Sequence, residues 1–338
     1  MNRCWICGDV WMDIFPSFKR VELGLKMALL SDRFDVLVDK HFDGKTELTI
    51  WNYIKIDKDE EPESKLSVLI DDKLVAFPLP DYSLPNKIRF KHLNIRYIDH
   101  SVIEFLRSNK QIWDRMGTKL ELSIANVKPI WDIFVREIWP IFATNIRHLS
   151  FAGPTHLDKL RRLISPTILT DLDHLNSIDS YYLLPTVIAD DGPNATAGQM
   201  LSKWLNTPSK NGQPKRLHCY YCFNGSNLEW INNLKEAFLR AISSASYIIR
   251  IDHVKTMPIE PFESVNERTN EKLILEKVSR YDDVNWLLKR CPIGETVQWE
   301  NDENWDDNLN NVQFELWHGN RPIGPLSPST KEKADQSN

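Results

Sequence analysis

The feature that most constrains this chain is a recurrence across residues 86–254. Short apolar runs anchored at Leu93, Leu120, Leu149, Leu175, Leu217 and Ile249 alternate with segments whose apolar residues fall at helical spacing. Val102, Phe105, Leu106 and Trp113 share one helical face after the first anchor, and Ile130, Phe134 and Ile138 do so after the second. Leu157, Leu160, Leu163 and Ile164, then Leu201, Trp204 and Leu205, then Leu228, Ile231, Leu234, Phe238 and Ile242 continue the series. A strand joined through a helix to the next strand returns to its sheet in parallel. One strand–helix pair is too small to bury its own apolar face, so the pairs must stack around a continuous core.

The anchors lie 27, 29, 26, 42 and 32 residues apart. The shorter gaps are close to the period of leucine-rich repeats, and the longer ones carry insertions such as residues 180–196. The consensus L-x-x-L-x-L-x-x-N is missing, so the expectation is an α/β chain of irregular, leucine-rich-repeat-like strand–helix units. A compact α/β sandwich without curvature is the alternative. Side chains alternate along a strand. If Leu93, Ile95 and Tyr97 face the core, Asn94 and Arg96 face out, and the same parity exposes Glu121, Ser123, His148, Ser150, His218, Tyr220, Arg250 and Asp252.

Both flanks of this region change rhythm. Residues 47–56 partly alternate and read as one strand, while 66–70 and 74–77 flank Asp71 and Asp72 in a hairpin pattern. Pro78, Pro80 and Pro85 close this small β insert, which makes 45–85 a linking segment. Beyond residue 254, runs at 262–266 and 272–278 form another hairpin pattern, and 284–288, 297–299 and 312–317 are further extended segments. Together they predict a β cap over 255–326 on the open end of the stack, followed by a polar, disordered tail at 327–338.

The first 44 residues form a different kind of unit. Val10, Trp11, Ile14 and Phe15 share a helical stripe ahead of Pro16, and Val21, Leu25 and Leu29 recur beside Leu23 and Met27. Ser31 is a good N-cap for a third helix carrying Phe34, Leu37, Val38 and His41. Three helices in so short a stretch bury little surface alone, so their spare apolar residues need a partner.

The series Ile14-Phe15, Phe18, Leu23, Leu29, Ser31-x-Arg33-Phe34 and Leu37 resembles an F-box, with Cys7-Gly8 standing where that pattern has Leu-Pro. The chain to about Pro325 resembles the large nematode family of F-box proteins with a long C-terminal half. The stretches I-W-P-I-F-A-T-N-I-R-H-L-S-F, S-P-T-I-L-T-D-L and N-W-D-D-N-L-N-N-V carry that wider likeness. The resemblance implies a substrate receptor of an SCF-type ubiquitin ligase. Cys7, Gly8, Val10, Trp11, Ile14, Phe15, Leu23, Leu29, Phe34 and Leu37 would meet the Skp adaptor, and through it a cullin. A client protein would lie on the outward strand residues Asn94, Arg96, His148, His218, Tyr220 and Arg250.

Composition bears on the excluded classes. Forty-two basic against 47 acidic residues leave a net charge of −5, with no basic footprint for nucleic acid. No apolar run has membrane-spanning length, and residues 1–13 lack the pattern of a signal peptide, which predicts a cytoplasmic or nuclear protein. Five cysteines without a regular framework suit a reducing compartment. Cys4-x-x-Cys7 and Cys219-x-x-Cys222 are too far apart to share a zinc ion, and strand parity sends Cys219 and Cys222 to opposite faces. Asp190-Asp191 and Asp306-Asp307 are carboxylate pairs in turn and loop surroundings. No P-loop, G-x-S-x-G or dinucleotide glycine pattern occurs. The expectation is a binder without cofactor or catalysis. The alternatives are an interaction scaffold that recruits no ligase and a metal-dependent enzyme built on a carboxylate pair.

Overall fold

The computed structural model describes residues 6–19, 22–43, 49–58, 64–70, 73–81, 83–84, 88–210, 212–220, 228–252, 260–280, 283–294, 309–317, 323–324 and 326. The protein is mixed α/β and divides into two compact units. The first takes Met1–Gly117, Ala125–Ile130 and Leu309–Asn338, and the second takes Thr118–Ile124 and Trp131–Asn308. Among the described residues no helix is long and apolar enough to cross a membrane.

The first unit opens with helices. Gly8–Ile14 and Asp32–Asp43 are α-helical, joined by a 3-10 turn at Phe15–Ser17, a π-helical turn at Leu23–Met27 and a 3-10 turn at Ala28–Leu30. Phe15, Leu23, Ala28, Val38 and Phe42 form the core of this small unit. Ser31 caps the last helix as its sequence predicts, its hydroxyl accepting from the Phe34 amide at 3.4 Å.

Six strands follow: β1 (Thr49–Trp51), β2 (Ile54–Asp57), β3 (Lys65–Ile70), β4 (Lys73–Pro78), β5 (Ile88–Phe90) and β6 (Leu93–Ile95). In the second unit come β7 (Thr118–Ile124), β8 (Ile146–Phe151), β9 (Ser177–Tyr181), β10 (Lys215–Tyr220), β11 (Tyr247–Ile251), β12 (Phe262–Asn266), β13 (Glu271–Arg280) and β14 (Asp283–Pro292). The chain then returns to the first unit for β15 (Asn310–Leu316).

In the first unit the sheet runs β15-β6-β2-β3-β4, with β1 and β5 forming a separate parallel pair. β6 lies parallel to both β15 and β2, and β2-β3-β4 is an antiparallel meander. Register explains the core. Phe314, Ile95, Ile56, Leu66 and Phe77 stand side by side across the five strands, and all are buried. The helices His100–Ser108 and Lys110–Met116 add Val102, Phe105, Leu106, Ile112 and Trp113.

In the second unit β7 to β11 are parallel in sequence order, and β14, β13 and β12 extend the sheet antiparallel beyond β11. One apolar row crosses the whole sheet: Leu120, Leu149, Ile178, Leu217, Ile249, Leu288, Leu275 and Phe262. Four of the sequence anchors thus share one register. Of the other two, Leu93 lies on β6 in the first unit, and Leu175 precedes β9 and leaves the row position to Ile178.

Several boundaries differ from those expected. Residues 45–85 are no detached insert, because β2, β3 and β4 belong to the same sheet as β6. The strand expected at 47–56 is two strands with different neighbours, β1 beside β5 and β2 beside β3 and β6. The region 86–254 divides after Gly117. The cap over 255–326 divides as well: β12 to β14 continue the sheet strands of the second unit, whereas β15 pairs with β6 in the first. The run at 297–299, the turn residues Asp71 and Asp72, and the tail at 327–338 lie outside the described residues.

Candidate functional site

Two surfaces carry the residues singled out by sequence. The first is the N-terminal helical unit. Gly8 lets the first helix approach the last, since a Cβ there would lie 3.2 Å from Leu37 Cδ2. Trp11 meets Phe34 edge-on at 4.8 Å, and both lie half-buried against the core together with Leu37. Arg33 Nη2 donates to the Ile6 carbonyl at 2.5 Å, tying the entering chain to the last helix. Phe15 and Leu23, expected at the adaptor contact, are wholly interior and hold the helices together instead. The apolar side chains left in solvent include Val10, which was expected at that contact, 47 % exposed, together with Leu30 at 62 % and Val36 at 66 %. Cys7 is exposed and Ile14 half-buried, while the Leu29 side chain lies outside the described residues.

The second surface is the polar face of the β7–β11 sheet. Alternation puts Lys119 and Glu121, His148 and Ser150, Asp179 and Tyr181, His218 and Tyr220, and Arg250 on the face opposite the apolar row, and register sets them shoulder to shoulder. A register shift between Thr118 and Lys119 sets His148 opposite Lys119. Asp179 is the hub. His148 Nε2 lies 3.0 Å from its Oδ2, Lys119 Nζ 3.5 Å from the same oxygen, and His218 Nδ1 3.9 Å from its Oδ1. On its other side His218 Nε2 reaches Asp252 Oδ2 at 2.5 Å, and Arg250 Nε donates to Asp252 Oδ1 at 2.8 Å. Tyr220 stacks on Tyr181 at 4.6 Å, with the His218 ring 3.7 Å from Tyr220.

This pattern decides the protonation of the acids. Burial alone would raise the Asp179 carboxyl, but the His148 ring, Lys119 and His218 outweigh it and hold it below the usual carboxylate range. Asp252 is likewise depressed: burial opposes ionisation, and the bonds from His218 and Arg250 prevail. Burial, followed by the neighbouring Asp179, raises the Tyr220 phenol. Each carboxylate therefore stays charged and keeps a cation or ring in place. The face is a charge-compensated platform with an aromatic step, suited to holding a partner by shape and hydrogen bonds.

Of the six residues expected to contact a client, His218, Tyr220 and Arg250 stand together on this platform. His148 is on the same face but buried, so it orients Asp179 and has little surface to offer. Asn94 and Arg96 belong to the first unit. Asn94 is buried beside Gln313, and Arg96 pairs with Glu315 at 3.3 Å. Asn94 lies in a three-residue strand flanked by β15 and β2, and Arg96 falls just past its end, where strand alternation no longer sets its direction. Sequence reading missed Asp179, Tyr181 and Lys119. The alternation in S-I-D-S-Y could have located the first two had the strand been set two residues later.

Other chemistry-bearing motifs stay apart from this face. Cys219 is buried on the apolar side of β10, while Cys4 and Cys222 lie outside the described residues, as do Asp306 and Asp307. Asp190 folds back in a turn, its Oδ1 accepting from the Gly192 amide at 3.0 Å. Among the described residues, no group of three His, Cys, Asp or Glu is arranged to hold a metal ion. Comparisons of the chain with protein-family models, with curated proteins and with solved structures each found no match.

Proposed function

We propose that this chain is a substrate-receptor subunit of an SCF-type ubiquitin ligase. In this reading residues 1–44 are an F-box that docks on the Skp adaptor and so joins a cullin, and β7–β11 with their helices are an irregular leucine-rich-repeat-like scaffold for a client. The receptor performs no chemistry and works in the cytoplasm or nucleus. It raises the effective concentration of a client lysine beside the ubiquitin-loaded partner, a gain that needs geometry alone. One observation carries the reading. The N-terminal helical unit has its own core yet leaves Val10, Leu30 and Val36 in solvent. Apolar side chains at such density on so small a unit fit an obligate contact with another protein. The test is co-expression of the full chain with the Skp adaptor. A stoichiometric complex that survives gel filtration is expected, and two separate peaks overturn the assignment.

A second reading, an interaction scaffold that recruits no ligase, draws on the same helices. Cys7-Gly8 stands in the place of the usual Leu-Pro, Gly8 closes onto Leu37, and Phe15 and Leu23 are interior. A chain that holds a partner on its sheet face but ignores the adaptor would follow this second course.

A further inference from the structure

The segment between β9 and the helix Ala197–Asn206 sets large apolar side chains in solvent on a backbone that is tied down along its length. Tyr182 is 66 % exposed, Val187 41 % and Ile188 67 %. The Thr186 amide donates to the Gly198 carbonyl at 3.1 Å and the Asp190 amide to the Gln199 carbonyl at 3.3 Å. Trp230 Nε1 donates to the Pro185 carbonyl at 2.5 Å, and the Ser202 hydroxyl donates to the Thr186 backbone carbonyl. Gly198 permits this contact, because a Cβ there would lie 2.9 Å from the Leu184 carbonyl oxygen. Tyr182 itself sits at φ 58°, in the left-handed region that an aromatic residue seldom adopts.

Such a loop has met its ordering entropy on folding, so a partner binding there does not meet it again. Its acidic end sets the partner's charge. Asp190 and Asp191 follow Ile188 closely, and they accept hydrogen bonds from the Gly192 amide and the Thr170 hydroxyl. Among the described residues neither carboxylate has a basic side chain against it. We infer that residues 182–191 are a docking surface for an extended polypeptide segment whose apolar residues are flanked by Lys or Arg. Ile188 and Tyr182 are its apolar anchors, and the two aspartates select the basic flank. The inference rests on the proposed function only in calling that segment part of a client.

The probes are two short fluorescein-labelled peptides of Leu and Val, one ending in Lys and Arg, the other in Glu and Asp, titrated with the full chain by fluorescence anisotropy. The basic peptide should bind at least about tenfold more tightly than the acidic one. Ile188→Ser should weaken it by a similar factor. Asp190→Asn with Asp191→Asn, which keeps both oxygen acceptors, should weaken it several-fold and flatten its salt dependence. Thermal unfolding of each variant should match the parent. Equal affinity for the two peptides, binding to neither, or indifference to Ile188→Ser overturns the inference, as does a concentration-dependent dimer that Ile188→Ser dissolves. Adaptor binding is read on the same variants and should not change. Peptide binding without adaptor binding would remove the ligase assignment and leave the docking surface standing.

Discussion

Arg290 and Glu271 meet at 2.7 Å inside the second unit, on neighbouring strands and almost without solvent contact. The guanidinium also donates to the Asn206 side chain and the Ser243 carbonyl, and the second carboxylate oxygen accepts from the Ala245 amide. The pair thus pins β13 and β14 to the turn before β11. Removing one partner strands a buried charge, so Arg290→Met or Glu271→Gln should each lower stability by about 3–5 kcal/mol. Urea unfolding followed by circular dichroism measures this. Replacing both with apolar residues should lose less than the two single changes together.

His156 should make the protein acid-sensitive near neutrality. Burial pushes the imidazole below its usual value, and its Nε2 accepts from the Ile124 amide at 3.1 Å, a bond that only the unprotonated nitrogen can make. A group depressed in the fold binds its proton more readily once unfolded. Its contribution is therefore present above the unfolded value of 6.5 and is lost as the pH falls through the lower folded value. His156→Gln retains an acceptor and should flatten the stability profile between pH 7 and about 5. An unaltered slope in that window would contradict the assignment.

Asp179 and Asp252 act further down the scale. Both are held below the ordinary carboxyl value of 3.8, so their stabilisation is complete above it and disappears as the pH falls through the folded values. Asp179→Asn should cost about 1.5–3 kcal/mol at neutral pH, because charged hydrogen-bonded partners are lost together. The variant should also unfold with a shallower dependence on pH below about 4 than the parent.

The exposed valines offer a cleaner test of adaptor docking than the half-buried Trp11. Val10→Asp and Val36→Asp place a carboxylate where it must be desolvated on binding, and each should weaken the adaptor complex by about tenfold or more. Their melting curves should stay within about 2 °C of the parent, as surface substitutions do. Phe15→Ala, in contrast, should destabilise the helical unit by about 3–5 kcal/mol.

Asn310 joins the returning strand to the first unit. Wholly buried, its Oδ1 accepts from the Phe90 amide at 3.0 Å and its Nδ2 donates to the Ile112 carbonyl at 3.0 Å. Asn310→Leu leaves both groups unmet, at about 1–3 kcal/mol each. Hydrogen exchange should quicken at Phe90 while the amides of β9 and β10 keep their protection.

Local periodicity was legible because it is written into consecutive residues. The apolar row through Leu120, Leu149, Leu217 and Ile249, the hairpin of β12 with β13 and the Ser31 cap all depend on spacings of two to four residues. Alternation likewise placed His218, Tyr220 and Arg250 on one face. Which strand lies beside which was a different matter. A run as short as Leu93–Ile95 carries no mark of its neighbours, and its pairing with β15 joins residues more than two hundred positions apart. That pairing sets Gln313 beside the buried Asn94 and brings Glu315 to Arg96. In the same way Asp179 became the centre of the polar face through contacts delivered by flanking strands. Sequence spacing determines which way a side chain points; only the packed sheet decides whether water, a charge or another strand is there to meet it.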